Sequence, residues 1–381
     1  MRADIHHFIF QFWRVVNGTW DLLVVDELFA VHGYGIASIH KRLNGTPYIV
    51  FSTTVMLNSD SMTNALGRCW VCRVHMFISS VAELIYKPTY FTHRLANFYQ
   101  HFTEYIGLRY FVQPFGMMHL RDLGINDFTW HQYFRGASAF LSDQIDNIGF
   151  PVPGKATGLL APICNLMFSN RRLVGTIYVA FGTYVRWKKA PEHVRKAFFS
   201  TFDELDDYRV IFAYDGPKEG IPSNVFVMDF APQKAILNDK RTRVFISHGG
   251  LKSIKEAICA DVPVVCMPIF AEQAHNVIFA NGLHIGESIN KMTVTKDEML
   301  SALRRVLVDS SYHKNVRRVK RLYLDRIISA KDQSLFIARR VLKYSNRDIV
   351  FKRKGIDLSW TQHLYFDFLF VLLSFFVILL K

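Results

Sequence analysis

The sequence predicts an α/β protein of two domains built on parallel sheets, followed by one C-terminal transmembrane helix. Three observations point there. Short apolar runs rich in β-branched residues alternate with helical stretches from Thr176 to Pro268, the pattern of a parallel sheet covered on both faces. A shorter alternation occupies the N-terminal part, where "WDLLVVDELF" (20–29) and "TPYIVFST" (46–53) flank a weak helix. Residues 364–380, "LYFDFLFVLLSFFVILL", are the most apolar stretch of the chain.

The elements follow in order. With 381 residues, half of them hydrophobic and 14% aromatic, the chain can bury two cores, and general disorder is excluded. The first strand ends in an acid, Asp26. From about Asn58 to Gly136 the pattern is mainly helical and loop, and "CWVC" (Cys69, Cys72) lies in what reads as a long helix. A redox pair or half of a zinc site would use the same spacing, but no second CxxC or HxxxH completes a metal site. "ASAFLSDQ" (137–144) resumes short alternation, and the Pro/Gly-rich "GFPVPGKATGLLAPI" (149–163) marks a boundary. Strands are then expected in "TIYVAFGTYV" (176–185), "YRVIFAYDG" (208–216), "NVFVMDFAPQ" (224–233), "TRVFISHGG" (242–250) and "VPVVCMP" (262–268). The resulting division is 1–155, 156–345, a juxtamembrane segment 346–363, and the helix 364–380.

The formal charge of +14 is concentrated in "RRVLVDSSYHKNVRRVKRLYLDR" (304–326) and "KRK" (352–354). Leu303, Val306, Leu307, Val316 and Val319 interleave the first of these at helical spacing. That favours a solvated helix face over a nucleic-acid stripe. Seventeen residues of terminal helix span about 26 Å, slightly short of the ~30 Å hydrocarbon core but near the thinner endoplasmic reticulum bilayer. The N-terminal "MRADIHHFIFQFW" lacks the marks of a signal peptide, although sequons stand at Asn17 and Asn44.

"SHGGLKSIKEA" (247–257) is the stretch richest in chemistry. It follows the buried-looking "RVFI" and opens a helix, so the unpaired amides of the first turn face outward with the positive end of the helix dipole. Gly249 and Gly250 allow close backbone approach. Lys252, in that first turn, is favourable only opposite an anion; the competing reading is a surface pair with Glu256, four residues on. Ligands of parallel sheets sit beyond the carboxyl ends of the strands. Gly182-Thr183, Phe230 to Gln233 and His248 to Gly250 all fall at such ends, so they are expected to line one crevice.

The string "FAPQ…SHGGLKSIKEA…PIFAEQAHN" resembles the donor-binding signature of the UDP-glycosyltransferases, above all the membrane-bound UDP-glucuronosyltransferase branch in its invertebrate, nematode-like form. The likeness runs from about Trp20 to the C-terminus. It implies two Rossmann-like domains of the GT-B type, the N-terminal one incomplete. It also implies that Phe230, where tryptophan is usual, stacks on uracil, and that Gln233 bonds the base or ribose. His248, Gly249, Gly250 and Ser253 would hold the diphosphate, with Thr183 nearby. Glu256 would accept from the ribose hydroxyls, and Glu272 and Gln273 would contact the transferred sugar. Lys252 stands where asparagine is common and would favour a diphosphate or a uronate. Glu272 replaces the commoner aspartate, and Asp261 the usual glycine.

By the same resemblance Asp26 matches the aspartate that orients the catalytic histidine, the competing reading being a strand-end acid that caps the next turn. The histidine itself has no counterpart here, because His6 and His7 lie too close to Asp26 in sequence. The implied function is transfer of a sugar from UDP-glucuronate or UDP-glucose to a hydroxyl or acid group of a small lipophilic acceptor, with inversion. No metal and no cofactor beyond the UDP-sugar co-substrate are implied. The alternative is a membrane protein that binds UDP-sugar, or pairs with full-length relatives, without turnover. Location is expected in the endoplasmic reticulum membrane with the globular part luminal, although Arg347, Lys352, Arg353 and Lys354 before the helix, against Lys381 after it, argue for a cytosolic body.

Overall fold

The computed structural model describes residues 14–26, 31–52, 91, 95, 99, 106–107, 120–121, 124–142, 173–270, 273–344, 362 and 366–379. The Cys69–Cys72 segment, the Pro/Gly-rich boundary, Glu272, His6 and His7 lie outside the described residues.

In the N-terminal part, β1 (Leu23–Asp26), β2 (Tyr48–Ser52) and β3 (Ala139–Ser142) form a parallel three-stranded sheet in that order. Helix α1 (Val31–Asn44) makes the crossover from β1 to β2 that a parallel pair requires. The short α2 (Trp130–Gly136) is capped by Thr129, whose hydroxyl accepts from the Gln132 amide at 3.2 Å. An aromatic core of Tyr34, Tyr48, Phe128, Tyr133 and Phe134 closes one face of this sheet. Its rings meet edge-on or offset, as in the Tyr34–Tyr133 pair at 5.0 Å.

The larger sheet has six parallel strands: β4 (Gly175–Ala180), β5 (Tyr208–Ala213), β6 (Val225–Met228), β7 (Thr242–Ser247), β8 (Val264–Cys266) and β9 (Gly286–Ser288). Their order is β6-β5-β4-β7-β8-β9. The chain therefore winds outward from β4 to β6, then returns to the middle at β7 and winds out the other way. Alternation along each strand supplies two faces. Ile177 and Val179 enter one core with Phe198, Phe202, Phe212 and Leu303, while Tyr178 and Ala180 enter the other with Phe245, Ile254, Ile258 and Val277.

Helices α3 (Glu192–Asp203), α4 (Gln233–Asn238), α5 (Leu251–Cys259), α6 (Gln273–Gly282), α7 (Lys296–Val308) and α8 (Ser310–Leu324) belong to this unit. The basic stretch 304–326 is indeed amphipathic. Leu303, Val306, Val316 and Val319 are buried, and Asp309 splits the stretch by capping α8 through the Ser311 amide at 2.8 Å. Helix α9 (Ala330–Tyr344) makes contact with β3 of the smaller sheet.

The terminal apolar run is helical as α10 over Phe366–Leu379, 14 residues, with exposed apolar side chains. At 1.5 Å per residue that is about 21 Å, against a hydrocarbon core of ~30 Å. Among the described residues no helix is long and apolar enough to cross a membrane.

Candidate functional site

Strands β4 and β7 lie side by side in the sheet while the chain departs from them in opposite directions. At such a switch point the loops beyond the strand ends splay apart and leave a crevice. The gap here is about 760 Å³, lined from the ends of β4, β5, β6 and β7 and from α5. Thr183, Phe230, Gln233, His248, Gly250, Lys252, Ser253, Glu256 and Gln273 all line it. Three separate stretches of sequence are thus brought together, as their strand-end positions predict. Gly249 lies beneath the surface and shapes the turn. Asp26 ends β1 of the smaller sheet and is half-buried.

The turn after β7 requires its glycines. Gly249 has φ +82°, and a Cβ there would lie 2.6 Å from Val277 Cγ2. A Cβ on Gly250 would lie 2.6 Å from His248 Nε2, and one on Gly182, also at positive φ, 3.1 Å from His248 Cε1. The His248 imidazole is thus wedged between two glycines. Burial pushes it down to about 4, so it is neutral at pH 7 and can donate from one ring nitrogen without adding charge.

Helix α5 starts at Gly250 with no side-chain cap, and its first backbone bond runs from the Ile254 amide to the Gly250 carbonyl at 3.1 Å. The amides of Leu251, Lys252 and Ser253 therefore have no acceptor within the helix. Nine residues of helix stand behind them. The turn is tied down from below: Asn276 Nδ2 donates to the Gly249 carbonyl at 2.9 Å.

One end of the crevice carries a side-chain network. Gln233 Nε2 donates to Glu256 Oε2 at 2.8 Å and lies 3.3 Å from Ser253 Oγ, while Gln233 Oε1 is 3.4 Å from the Tyr178 hydroxyl. Lys234 approaches Glu256 Oε1 at 3.9 Å. The surface pair of Lys252 with Glu256 is not what forms. Glu256 turns instead toward α4, and Lys252 stays exposed in the first turn of α5. Gln273 departs from expectation in another way. It is buried, and its Oε1 accepts from the backbone amides of Ile269 and Phe270 at 2.8 and 3.1 Å, leaving only its amide nitrogen for a ligand.

Residues that sequence reasoning missed also line the crevice: Tyr178, Tyr184, Lys234, Asp215 and Phe270. Tyr178 sits mid-strand in a run that reads simply as core, so nothing local marks it. Asp215 was visible at the end of "AYDG". It accepts from the Trp187 amide at 2.6 Å and lies 3.6 Å from Arg186, fixing the loop after β4. Phe230 is 79% exposed at the lip, with a free ring face. Among the described residues no group of three or more His, Cys, Asp or Glu side chains could hold a metal ion.

A parallel six-stranded sheet with its crevice at the switch point, and a smaller parallel sheet beside it in sequence, are the architecture of the GT-B fold. Solved structures of that class share the fold. A spinosyn forosaminyltransferase matches at TM-score 0.59 and 16% identity, covering 89% of this chain and 79% of its own. A UDP-glucose: anthocyanidin 3-O-glucosyltransferase in complex with UDP matches at TM-score 0.55 and 15% identity, covering 85% and 76%. At these identities the likeness establishes the fold alone.

Residues 162–380 match the family model "UDP-glucoronosyl and UDP-glucosyl transferase", and the chain belongs to that family. UDP-glucosyltransferase 2 of Dactylopius coccus is 31% identical over 202 residues, which is 53% of this chain and 39% of that protein. UDP-glucuronosyltransferase 2A3 of Homo sapiens is 33% identical over 167 residues, 44% and 32% of the two chains. The nematode protein ugt-50 of Caenorhabditis elegans is 25% identical over 401 residues, covering 98% of this chain and 73% of its own length. The matches thus span about two fifths or less of the first and second of these relatives and about three quarters of the third.

Proposed function

We propose that the crevice binds the UDP part of a UDP-sugar and that the protein transfers the sugar, glucuronosyl or glucosyl, to a hydroxyl or acid group of a small lipophilic acceptor. The observation that carries this reading is the convergence on one gap of an uncapped helix N-terminus, an exposed lysine beside it, and a Gln233–Glu256 pair rich in acceptors. The diphosphate meets the free amides of α5 with His248, Ser253, Thr183 and Lys252 around it. Phe230 offers a ring face to uracil. Glu256 and Gln233 accept from ribose hydroxyls, and Gln273, with Glu272 beside it in sequence, meets the sugar.

The acceptor oxygen attacks the anomeric carbon as the bond to the diphosphate breaks. The electron pair leaves with UDP, configuration inverts, and the acceptor proton passes to a base. By the family resemblance Asp26 would orient a histidine base by accepting from its second ring nitrogen, a histidine for which this sequence shows no counterpart. Anchoring of α10 in the endoplasmic reticulum membrane, with the body in the lumen, completes the reading. The exposed sequon at Asn17 and the exposed apolar side chains of α10 are in keeping with it.

Titration calorimetry with UDP tests the donor site. UDP binding is expected, and Glu256→Ala should weaken it by about 1.5–3 kcal/mol through loss of charge-assisted hydrogen bonds. Absence of UDP binding, or a Glu256→Ala variant with unchanged affinity, would refute the assignment. Binding without transfer from either UDP-sugar to a phenol would support a UDP-sugar-binding protein without turnover.

A further inference from the structure

Tyr178 is 1% exposed on β4, its ring stacked on Phe245 at a centroid distance of 4.9 Å and an interplanar angle of 17°. The core it enters on this face is apolar, so a phenol here brings a polar atom into an apolar layer, where it needs a partner. That partner is the Gln233 carbonyl oxygen at 3.4 Å, at the floor of the crevice.

We propose that Tyr178 is a positioning residue: it holds the Gln233 carboxamide in one orientation, and through it makes this corner of the crevice select a nucleoside sugar that carries both vicinal hydroxyls. The proposal rests on the reading that Gln233 and Glu256 meet the nucleoside.

The donor and acceptor count gives the reason. A carboxamide has two N–H donors and one carbonyl oxygen with two lone pairs. Both Gln233 donors are committed, one to Glu256 Oε2 at 2.8 Å and one toward Ser253 Oγ at 3.3 Å. One carbonyl lone pair is taken by Tyr178. What remains for a ligand is the second lone pair of Gln233 Oε1 and the Oε1 of Glu256, which has Lys234 at 3.9 Å. These two acceptors complement two hydroxyl donors. A flipped amide would press its carbonyl against the Glu256 carboxylate and offer the ligand a donor instead. Burial, reinforced by the Glu256 charge, raises the Tyr178 phenol well above its ordinary range, so it remains a donor at every working pH. A sugar lacking one hydroxyl leaves one of the two acceptors unpaired, and sites built on hydrogen bonds reject such analogues strongly.

The test compares UDP with 2′-deoxy-UDP by calorimetry on the wild type, Tyr178→Phe, Gln233→Leu and the double variant. Phenylalanine keeps the stack on Phe245 and removes only the hydroxyl. The Gln233 side-chain amide signals in nuclear magnetic resonance spectra of the ligand-free protein serve as a second readout. The wild type should prefer UDP by about tenfold or more, the scale of one charge-assisted hydrogen bond. Tyr178→Phe should reduce that preference several-fold and shift the Gln233 amide signals. In the Gln233→Leu background the tyrosine substitution should have no further effect on the preference. A preference unchanged in Tyr178→Phe, or an equal effect in both backgrounds, would overturn the proposal, since a packing role predicts the latter. A wild type that binds neither nucleotide removes the donor-site reading itself; UDP binding with unmoved amide signals removes only the role of the tyrosine.

Discussion

Replacing Gly249 by alanine tests the turn on which the whole crevice depends. The residue has φ +82°, a left-handed conformation that costs an L-residue about 1–2 kcal/mol. The added methyl group would also sit 2.6 Å from Val277 Cγ2 and 3.2 Å from the Gln273 carbonyl oxygen. Val277 is fully buried in α6, so it has nowhere to retreat, and overpacking of this kind costs about 1–3 kcal/mol. Together the two contributions predict a loss of ~2–5 kcal/mol. In a unit of this size that lowers the melting temperature by several degrees, at about 2–4 °C per kcal/mol. Urea denaturation followed by circular dichroism measures it. The steric part is separable: in a double-mutant cycle with Val277→Ala, the pair should show a favourable coupling, while the backbone part persists. The Gly249 carbonyl is held by Asn276, so a displaced turn should also weaken UDP binding. A Gly249→Ala protein within about 0.5 kcal/mol of wild type, the usual range for an inconsequential substitution, would refute the reasoning.

Acid should destabilise the fold before its carboxylates titrate. Burial pushes both His248 and His275 down to about 4, whereas the unfolded chain protonates them near 6.5. Between those values the unfolded state binds more protons, so stability is complete above about pH 6.5 and is lost as pH falls toward 4. At pH 5 each histidine should cost ~2 kcal/mol, and a urea midpoint equal at pH 7.5 and pH 5 would contradict this. Asp261 adopts φ +62° and pairs with Lys320 at 2.9 Å. Asp261→Ala should lose about 1–2 kcal/mol in thermal denaturation while Asp261→Gly stays near neutral; equal losses would show that backbone strain is not the issue. Phe230→Ala should weaken UDP binding by about 0.5–1.5 kcal/mol and Phe230→Trp should retain or strengthen it, whereas identical affinities in all three proteins would take the ring out of the site.

Much of the larger domain was legible because its signals are local. Buried parallel strands need continuous apolar runs, so "TIYVA", "RVIFA" and "RVFIS" announce themselves: β5 and β7 fall inside their expected stretches, β4 starts one residue before its own, and the short edge strand β9, Gly286–Ser288, was not expected. Gly249 and Gly250 were legible for the same reason, since a strand-to-helix turn with backbone exposed to a ligand needs residues without a Cβ. The interleaved Val316 and Val319 identified an amphipathic helix, but the break at Asp309 depended on a cap that apolar spacing does not reveal.

Pairings across the fold were decided only by tertiary structure. Glu256 was expected either to pair with Lys252 on its own helix or to accept from ribose hydroxyls; the approach of α4 gives it Gln233 and Lys234 as side-chain partners in place of Lys252. Gln273, which by the resemblance would contact the transferred sugar, gives half of its hydrogen-bonding capacity to the loop just before it. Tyr178 looks like any core residue until its hydroxyl is seen beneath Gln233, fifty-five positions away. The physical reason is the same in each case. Apolar periodicity and turn chemistry are set by neighbours along the chain, whereas the partner of a buried polar group is whatever the closed sheet brings within about 3 Å of it.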